Sequence, residues 1–110
     1  MSGFVLKPGV LDLVAERFKA VAEPARLRIL NVLRDGERTV TELMEETGLG
    51  QANVSKHLQL LHGLGFVKRR KAGLYVHYSL QGEEVFQLCE IVCGRLAAEA
   101  DARGRMFQAV

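Results

Sequence analysis

This 110-residue sequence contains no apolar run long enough to cross a bilayer, only two cysteines, and no acidic residue in its central third. Asp12 and Glu16 interrupt the N-terminal apolar residues before a stretch of signal-peptide length accumulates, so we expect a cytoplasmic protein with no membrane partner. Cys89 and Cys93 lie close together in one segment, which does not fit the disulfide framework of a small secreted domain. We therefore expect both to be reduced thiols.

The absence of acidic residues is confined to residues 47–82, although the chain has 13 such residues and a net charge of only +2. This carboxylate-free segment also contains three histidines and five basic residues, namely Lys56, Lys68, Arg69, Arg70 and Lys71. A polyanion approaching it meets no repulsion. Charge alone favours a nucleic-acid partner and a merely solvated basic loop about equally.

Length and composition predict one soluble domain over residues 1–110, since 48% of the residues are hydrophobic and 25% are charged. The sequence has no nucleophile paired with a base, no phosphate-binding loop and no cluster of carboxylates. An enzyme is therefore not predicted.

Helical periodicity predicts three helices in the first half of the chain. The first starts just after Gly9, and its apolar residues recur at helical spacing: Val10, Leu11, Val14, Phe18 and Val21. The second begins at Pro24, a favourable first position, and ends before Asp35. The third lies in "TVTELMEETG", where Thr41 is the expected N-cap and Gly48 the expected end.

The stretch "GLGQANVSKHLQLLHGLG", residues 48–65, predicts a fourth helix with two different faces. Val54, Leu58 and Leu61 share an apolar side. The residues that face away from it are polar, namely Gln51, Ser55, Lys56, Gln59 and His62. His57 lies nearer the apolar side, and we expect it to pack between helices. Two short helices joined by a glycine-containing turn form a helix-turn-helix.

The helical spacing of apolar residues stops at "LGFVKRRKAGLYVHYSL", residues 64–80, where β-favouring residues flank a turn. This segment predicts a β-hairpin with a basic tip and a turn at residues 71–73. Residues 82–106 then predict a long helix with one apolar stripe, which includes Cys89, Val92, Cys93 and Leu96. This order predicts a mostly α fold with a small β-hairpin wing, a winged helix-turn-helix. A single small domain has little left to cover the apolar stripes of its first and last helices.

Residues 18–80 resemble the ArsR/SmtB family of bacterial transcriptional repressors. The blocks "AEPARLRIL", "VSKHLQLL" and "GLYVHYSL" follow that family's pattern in its order and at its spacing. The resemblance implies a homodimer joined through its first and last helices that binds double-stranded DNA at an inverted-repeat operator. We expect Val14, Phe18, Val92 and Leu96 in the dimer interface, because dimerisation would cover both stripes.

Four residues at the start of the fourth helix match the family's DNA-reading positions: Gln51, Asn53, Ser55 and Lys56. The two amides are candidates for base contacts, because an amide both donates and accepts. Lys56 is expected to neutralise a phosphate, and Ser55 to reach phosphate or base. The four basic residues of the wing alternate along a strand, so only about half of them can face DNA at once. Arg70 and Lys71, nearest the wing tip, are expected to contact phosphates or the minor groove. The alternative is a winged-helix interaction module whose basic face binds an acidic protein.

The family's usual metal ligands are missing from this sequence. Gly82, Glu84, Arg95 and Ala98 stand at the positions of one site, and residues 39–41 replace the cysteines of another. Cys89 and Cys93 remain as candidate ligands, since residues four apart project from one helix face and two thiolates bind a soft metal or metalloid. The alternatives are a redox signal at either thiol, or two small hydrophobic residues packed in the dimer stripe. No cofactor is expected to be required for folding.

Overall fold

The computed structural model describes residues 7–103, which form five helices and one antiparallel hairpin. The helices are α1 (Pro8–Val21), α2 (Pro24–Leu33), α3 (Val40–Thr47), α4 (Gln51–Gly63) and α5 (Glu84–Arg103). The strands are β1 (Val67–Ala72) and β2 (Tyr75–Leu80). This order confirms the winged helix-turn-helix, with α3 and α4 as the helix-turn-helix and the hairpin as the wing. The predicted extension of the last helix over residues 104–106 lies outside the described residues.

Two helix starts differ from the sequence prediction. α1 begins at Pro8 rather than after Gly9, because proline lacks the N–H that the first turn cannot pair. α3 is capped by Thr39 rather than by Thr41: the Glu42 N–H donates to Thr39 Oγ1 at 3.2 Å, and the Thr39 N–H donates to Glu42 Oε1 at 2.8 Å. These reciprocal bonds form a capping box, and they lower the pKa of Glu42, chiefly through the backbone N–H of Thr39.

The hairpin turn also falls later than predicted. β1 continues through Ala72, which pairs with Tyr75, so only Gly73 and Leu74 form the turn. Gly73 has a φ of +62° and Leu74 does not lie in the positive-φ region, the pattern of a type II′ turn. Such a turn matches the twist of the two strands, and glycine adopts its first position without steric strain.

The core lies between α2, the helix-turn-helix and the base of the wing. Its buried members are Ile29, Leu30, Leu33, Leu43, Val54, Leu58, Leu61, Val67, Val85 and Phe86. The three apolar residues predicted for α4 are all among them, which confirms the assigned face. α5 contributes only its first turn to this core, through Val85 and Phe86, and the Phe86 ring also lies 4.5 Å from the guanidinium carbon of Arg34.

Most of the large apolar side chains of α1 and α5 lie open to solvent in the single chain. Of the twelve large hydrophobic side chains exposed within the described residues, five are on α1 and four on α5. None of the helices within residues 7–103 combines the length and the apolar character that a membrane span requires.

Candidate nucleic-acid interface

The polar face of α4 presents Gln51, Asn53 and Lys56 to solvent, while Ser55 is half-buried. α4 follows a tight connection in which Gly48 adopts a φ of +77° and its N–H donates to the carbonyl of Met44. Gly50 occupies the N-cap of α4 and has no side chain to pair with the first-turn N–H groups. These N–H groups and the exposed amides therefore lie at the same end of the helix, where a phosphate or a base edge can accept from them.

His57 does not belong to this polar face. Its side chain is only 12% exposed and lies against the start of α2, where it contacts Glu23 and Arg26. This confirms the expectation that His57 packs between helices.

The register of the wing separates its basic residues onto two faces. Lys68 and Arg70 lie opposite Ser79 and His77, whereas Arg69 and Lys71 lie on the other face, opposite Tyr78 and Val76. This alternation is the one expected from the sequence, and it means that the two residues predicted to contact DNA, Arg70 and Lys71, do not share a face. Tyr78 packs against the core, whereas Tyr75 is 62% exposed and pairs with Ala72 next to the turn.

Arg70 is engaged by a carboxylate that the sequence analysis did not identify. Its Nε and Nη2 donate to the two carboxylate oxygens of Glu37 at 3.1 and 2.7 Å. This paired arrangement holds the pKa of Glu37 below its ordinary value, first through the hydrogen bond from Arg70 and then through the nearby charges. In the free protein the charge of Arg70 is therefore compensated. Lys71 is exposed, and no ion pair among the described residues includes it.

Arg38 connects the wing to the helix-turn-helix. Its backbone exchanges two hydrogen bonds with Tyr78 on the outer edge of β2, with N···O distances of 3.0 and 2.8 Å. Its guanidinium donates to the carboxylate of Glu46 near the end of α3, with an Nε–Oε2 distance of 2.5 Å. Nothing in the sequence pattern singles out this residue, because neither contact follows from a local spacing. The wing is thus fixed to the helix that precedes the recognition helix.

The four residues expected in a dimer interface are all exposed in the single chain: Val14 by 37%, Phe18 by 54%, Val92 by 57% and Leu96 by 36%. Between α1, α2 and α5 lies an open apolar groove of about 540 Å³, to which Phe18 and Val92 contribute. The same groove is lined by both thiols, that of the half-buried Cys89 and that of the exposed Cys93. Within the described part of the chain, no three His, Cys, Asp or Glu side chains lie close enough together to hold a metal ion.

A recognition helix with a polar outer face, carried by a helix-turn-helix and flanked by a basic hairpin, defines the winged helix-turn-helix class of regulators. The family model "Bacterial regulatory protein, arsR family" matches residues 23–69. The HTH-type regulator Rv0081 of Mycobacterium tuberculosis has a similar structure, with a TM-score of 0.76 and 35% identity over 88% of this chain and 97% of that one.

A second similar structure is the homodimeric winged helix-turn-helix DNA-binding domain of Mb0332 from Mycobacterium bovis. Its TM-score is 0.71 and its identity 33%, over 99% of this chain and 100% of that one. The "Probable mercury resistance operon repressor" of Streptomyces lividans is 39% identical over 77 residues, which cover 70% of this chain and 62% of the repressor. The chain thus spans less than two thirds of the length of that relative.

This chain belongs to the ArsR family of bacterial regulatory proteins. The members of this family are transcriptional regulators.

Proposed function

We propose that this protein is a homodimeric, sequence-specific DNA-binding repressor that acts on an inverted-repeat operator in the cytoplasm, by binding and not by catalysis. The observation that carries the proposal is the division of α4 into two faces. Val54, Leu58 and Leu61 fix the helix in the core, so Gln51 and Asn53 are held outward at its start. A fixed helix with outward amides can enter a major groove without rearrangement.

The dimer is supported by the apolar side chains on α1 and α5. Exposed side chains at Val14, Phe18, Val92 and Leu96 would be covered by a second copy with the same surface, as a twofold interface requires. The similar domain from Mycobacterium bovis is described as homodimeric. Two linked recognition helices would then reach two half-sites about one helical turn apart, roughly 34 Å along the duplex.

Selection from a random duplex library, followed by fluorescence anisotropy on the selected operator, tests the DNA-binding role. Gln51→Ala and Asn53→Ala should each cost about 1–3 kcal/mol on the operator and leave binding to random duplex nearly unchanged, because base contacts carry the sequence information. Gln59→Ala, an exposed amide two turns further along α4, is the matched control and should change neither affinity.

Three results would count against parts of this assignment. Failure of the selection to enrich any inverted repeat would exclude a sequence-specific reader. Equal loss on operator and random duplex in the Gln51 and Asn53 variants would exclude these residues from base contact. Preferential binding of an acidic protein over the operator would instead favour the interaction module, which family membership does not support.

The proposed DNA contacts of the remaining site residues divide by position. Lys56 on α4 and Lys71 on the wing are assigned to phosphates. Ser55 is half-buried and is assigned to a phosphate or base that comes close to the surface of α4. Arg70 contributes only when it is released from Glu37, which makes its role conditional on a competing anion.

The signal that releases the protein from DNA is proposed to act on the thiols of Cys89 and Cys93. Both line one groove between α1, α2 and α5, and two of these helices, α1 and α5, are expected to join the subunits. The two thiolates supply two ligands, which suits a soft, thiol-seeking ion, and each thiol loses its proton to solvent when its sulfur binds. The relative from Streptomyces lividans is named as a probable mercury resistance operon repressor, and mercury is a soft, thiol-seeking metal of the kind proposed here.

Titration of the reduced protein on its operator with arsenite, cadmium, zinc, peroxide and polysulfide tests the thiol proposal. Release by one of these agents, abolished by both Cys89→Ser and Cys93→Ser, would support it. Unchanged DNA affinity under all of them would refute it and assign the cysteines to packing.

A further inference from the structure

Two polar side chains at the start of α2 meet a third from α4, 31 residues away along the chain, where α1 ends. Arg26 on α2 lies between the two other elements: its Nη1 is 3.3 Å from Nδ1 of His57 on α4. Nε2 of the same imidazole is 3.3 Å from Oε2 of Glu23. We refer to Glu23, Arg26 and His57 as the α2 junction. The His57 side chain is 12% exposed and that of Glu23 is 36% exposed.

Arg26 also holds the C-terminal end of α1. Its Nε donates to the carbonyl oxygen of Ala20 at 2.6 Å, and its Nη2 donates to that of Lys19 at 3.5 Å. The last carbonyls of a helix have no partner within the helix, and a cation beside them is favoured by the helix dipole. One guanidinium therefore contacts both the last turn of α1 and a side chain of α4.

The contacts give the two imidazole nitrogens of His57 different partners. A guanidinium has only donors, so Nδ1 can take part in the contact with Arg26 only as an acceptor, while Nε2 faces the carboxylate of Glu23 at 3.3 Å. The other carboxylate oxygen of Glu23 accepts from the Ala25 N–H at 2.7 Å and caps α2. Each member of the junction thus contacts specific atoms of its neighbours.

We propose that Arg26 and His57 are positioning residues that hold the recognition helix α4 at a fixed angle to α1. This inference rests on the proposed function, because α1 belongs to the expected dimer interface and α4 to the expected DNA-reading surface. In a twofold dimer, a rotation of α4 relative to α1 occurs in both subunits and changes the separation of the two reading helices. The junction would therefore determine which half-site spacing the dimer accepts.

Three substitutions separate positioning from packing. His57→Gln keeps one acceptor and one donor, and should retain the contacts to Arg26 and Glu23. His57→Leu keeps the bulk and removes both. Arg26→Lys keeps the charge but has one nitrogen, which cannot reach both the end of α1 and His57 as the planar guanidinium does. Arg28→Ala, an exposed arginine two residues further along α2, is the matched control.

The experiment measures anisotropy on the selected operator and on duplexes in which the half-site separation is changed by one or two base pairs. Three proteins should bind one half-site separation at least about tenfold more tightly than the others: the wild type, His57→Gln and Arg28→Ala. A difference of about tenfold in affinity is what the loss of one hydrogen bond to a charged group produces. His57→Leu and Arg26→Lys should bind all separations within about threefold of one another, while binding random duplex as the wild type does. Light scattering and urea denaturation confirm that each variant compared is a folded dimer.

A sharp spacing preference in folded, dimeric His57→Leu and Arg26→Lys would overturn the positioning role while leaving the DNA-binding role intact. A wild-type protein that selects no operator would overturn both. A loss of the spacing preference in His57→Gln equal to that in His57→Leu would show that an acceptor and a donor at this position are not enough to hold α4, and would also overturn the inference.

Discussion

Replacing Glu37 with glutamine should strengthen binding to any duplex and make that binding more dependent on salt. In the free protein Glu37 accepts two hydrogen bonds from Arg70, at 3.1 and 2.7 Å, so the two side chains carry no net charge toward DNA. Glutamine has nearly the same shape but no charge. Arg70 would then be released to neutralise a phosphate.

The size of the effect follows from counterion release. Each phosphate neutralised on duplex DNA steepens the plot of log affinity against log salt by about 0.9, so two wings in a dimer add about 1.8. Across a fourfold change in salt, such as 50 to 200 mM, the ratio of variant to wild-type affinity should fall by roughly tenfold. Lys71→Ala should change the slope by a similar amount in the opposite direction, since no ion pair in the described residues compensates that charge.

The assay is fluorescence anisotropy over a salt series, on operator and random duplex. Glu45→Gln removes the same charge from an exposed position on α3 and is the control. The double variant Glu37→Gln with Arg70→Ala should return the slope to that of the wild type, because it deletes a neutral pair. Equal slopes for Glu37→Gln and Glu45→Gln would show that Arg70 lies away from DNA. A double variant shallower than the wild type would show that Arg70 already leaves Glu37 in the complex.

The remaining predictions concern stability and assembly. Thr39→Ala should lower the free energy of unfolding by about 1 kcal/mol in urea, because the capping box of α3 is lost. The pKa of Glu42 is lower in the folded chain than in the unfolded one, so the ionised Glu42 stabilises the fold above the ordinary glutamate range, and this stabilisation should be lost as the pH falls through the lowered value. Between pH 6 and pH 3 the urea midpoint of Thr39→Ala should therefore fall by less than that of the wild type. Leu58→Ala, at a fully buried site, should cost about 2–5 kcal/mol, and a loss below 1 kcal/mol would contradict the packing described for α4. Val92→Asp should give monomers by light scattering with weakened operator binding, and a stable dimer in that variant would exclude this residue from the interface.

The spacing of apolar residues predicted the helices and strands because each of them buries one face, and the apolar residues of that face recur at the period of the helix or strand. Val54, Leu58 and Leu61 recur at helical spacing, and the structure buries all three. The alternating strand residues likewise predicted that only half of the basic wing faces one side, which the register bears out. Patterns of this kind are local, so a single sequence carries them.

The error at the start of α3 arose from two competing threonines. Thr39 and Thr41 both precede Leu43 and Met44, and either hydroxyl is a good N-cap. Only Thr39 is followed three residues later by a glutamate, Glu42, whereas Thr41 is followed at that distance by Met44. The capping-box spacing was therefore present in the sequence and distinguishes the two.

The contacts that the sequence did not reveal join elements far apart along the chain. Arg26 and His57 are 31 residues apart, and Glu37 and Arg70 are 33 apart. No periodicity links such positions, because each pairing forms only once the core has set the elements side by side. Apolar faces determine which elements pack together, but an apolar contact tolerates a range of angles, whereas a bidentate ion pair or an imidazole held between two polar partners tolerates fewer. For a protein that must match two helices to two grooves, we therefore expect residues outside both the reading face and the core to add to specificity by holding those angles.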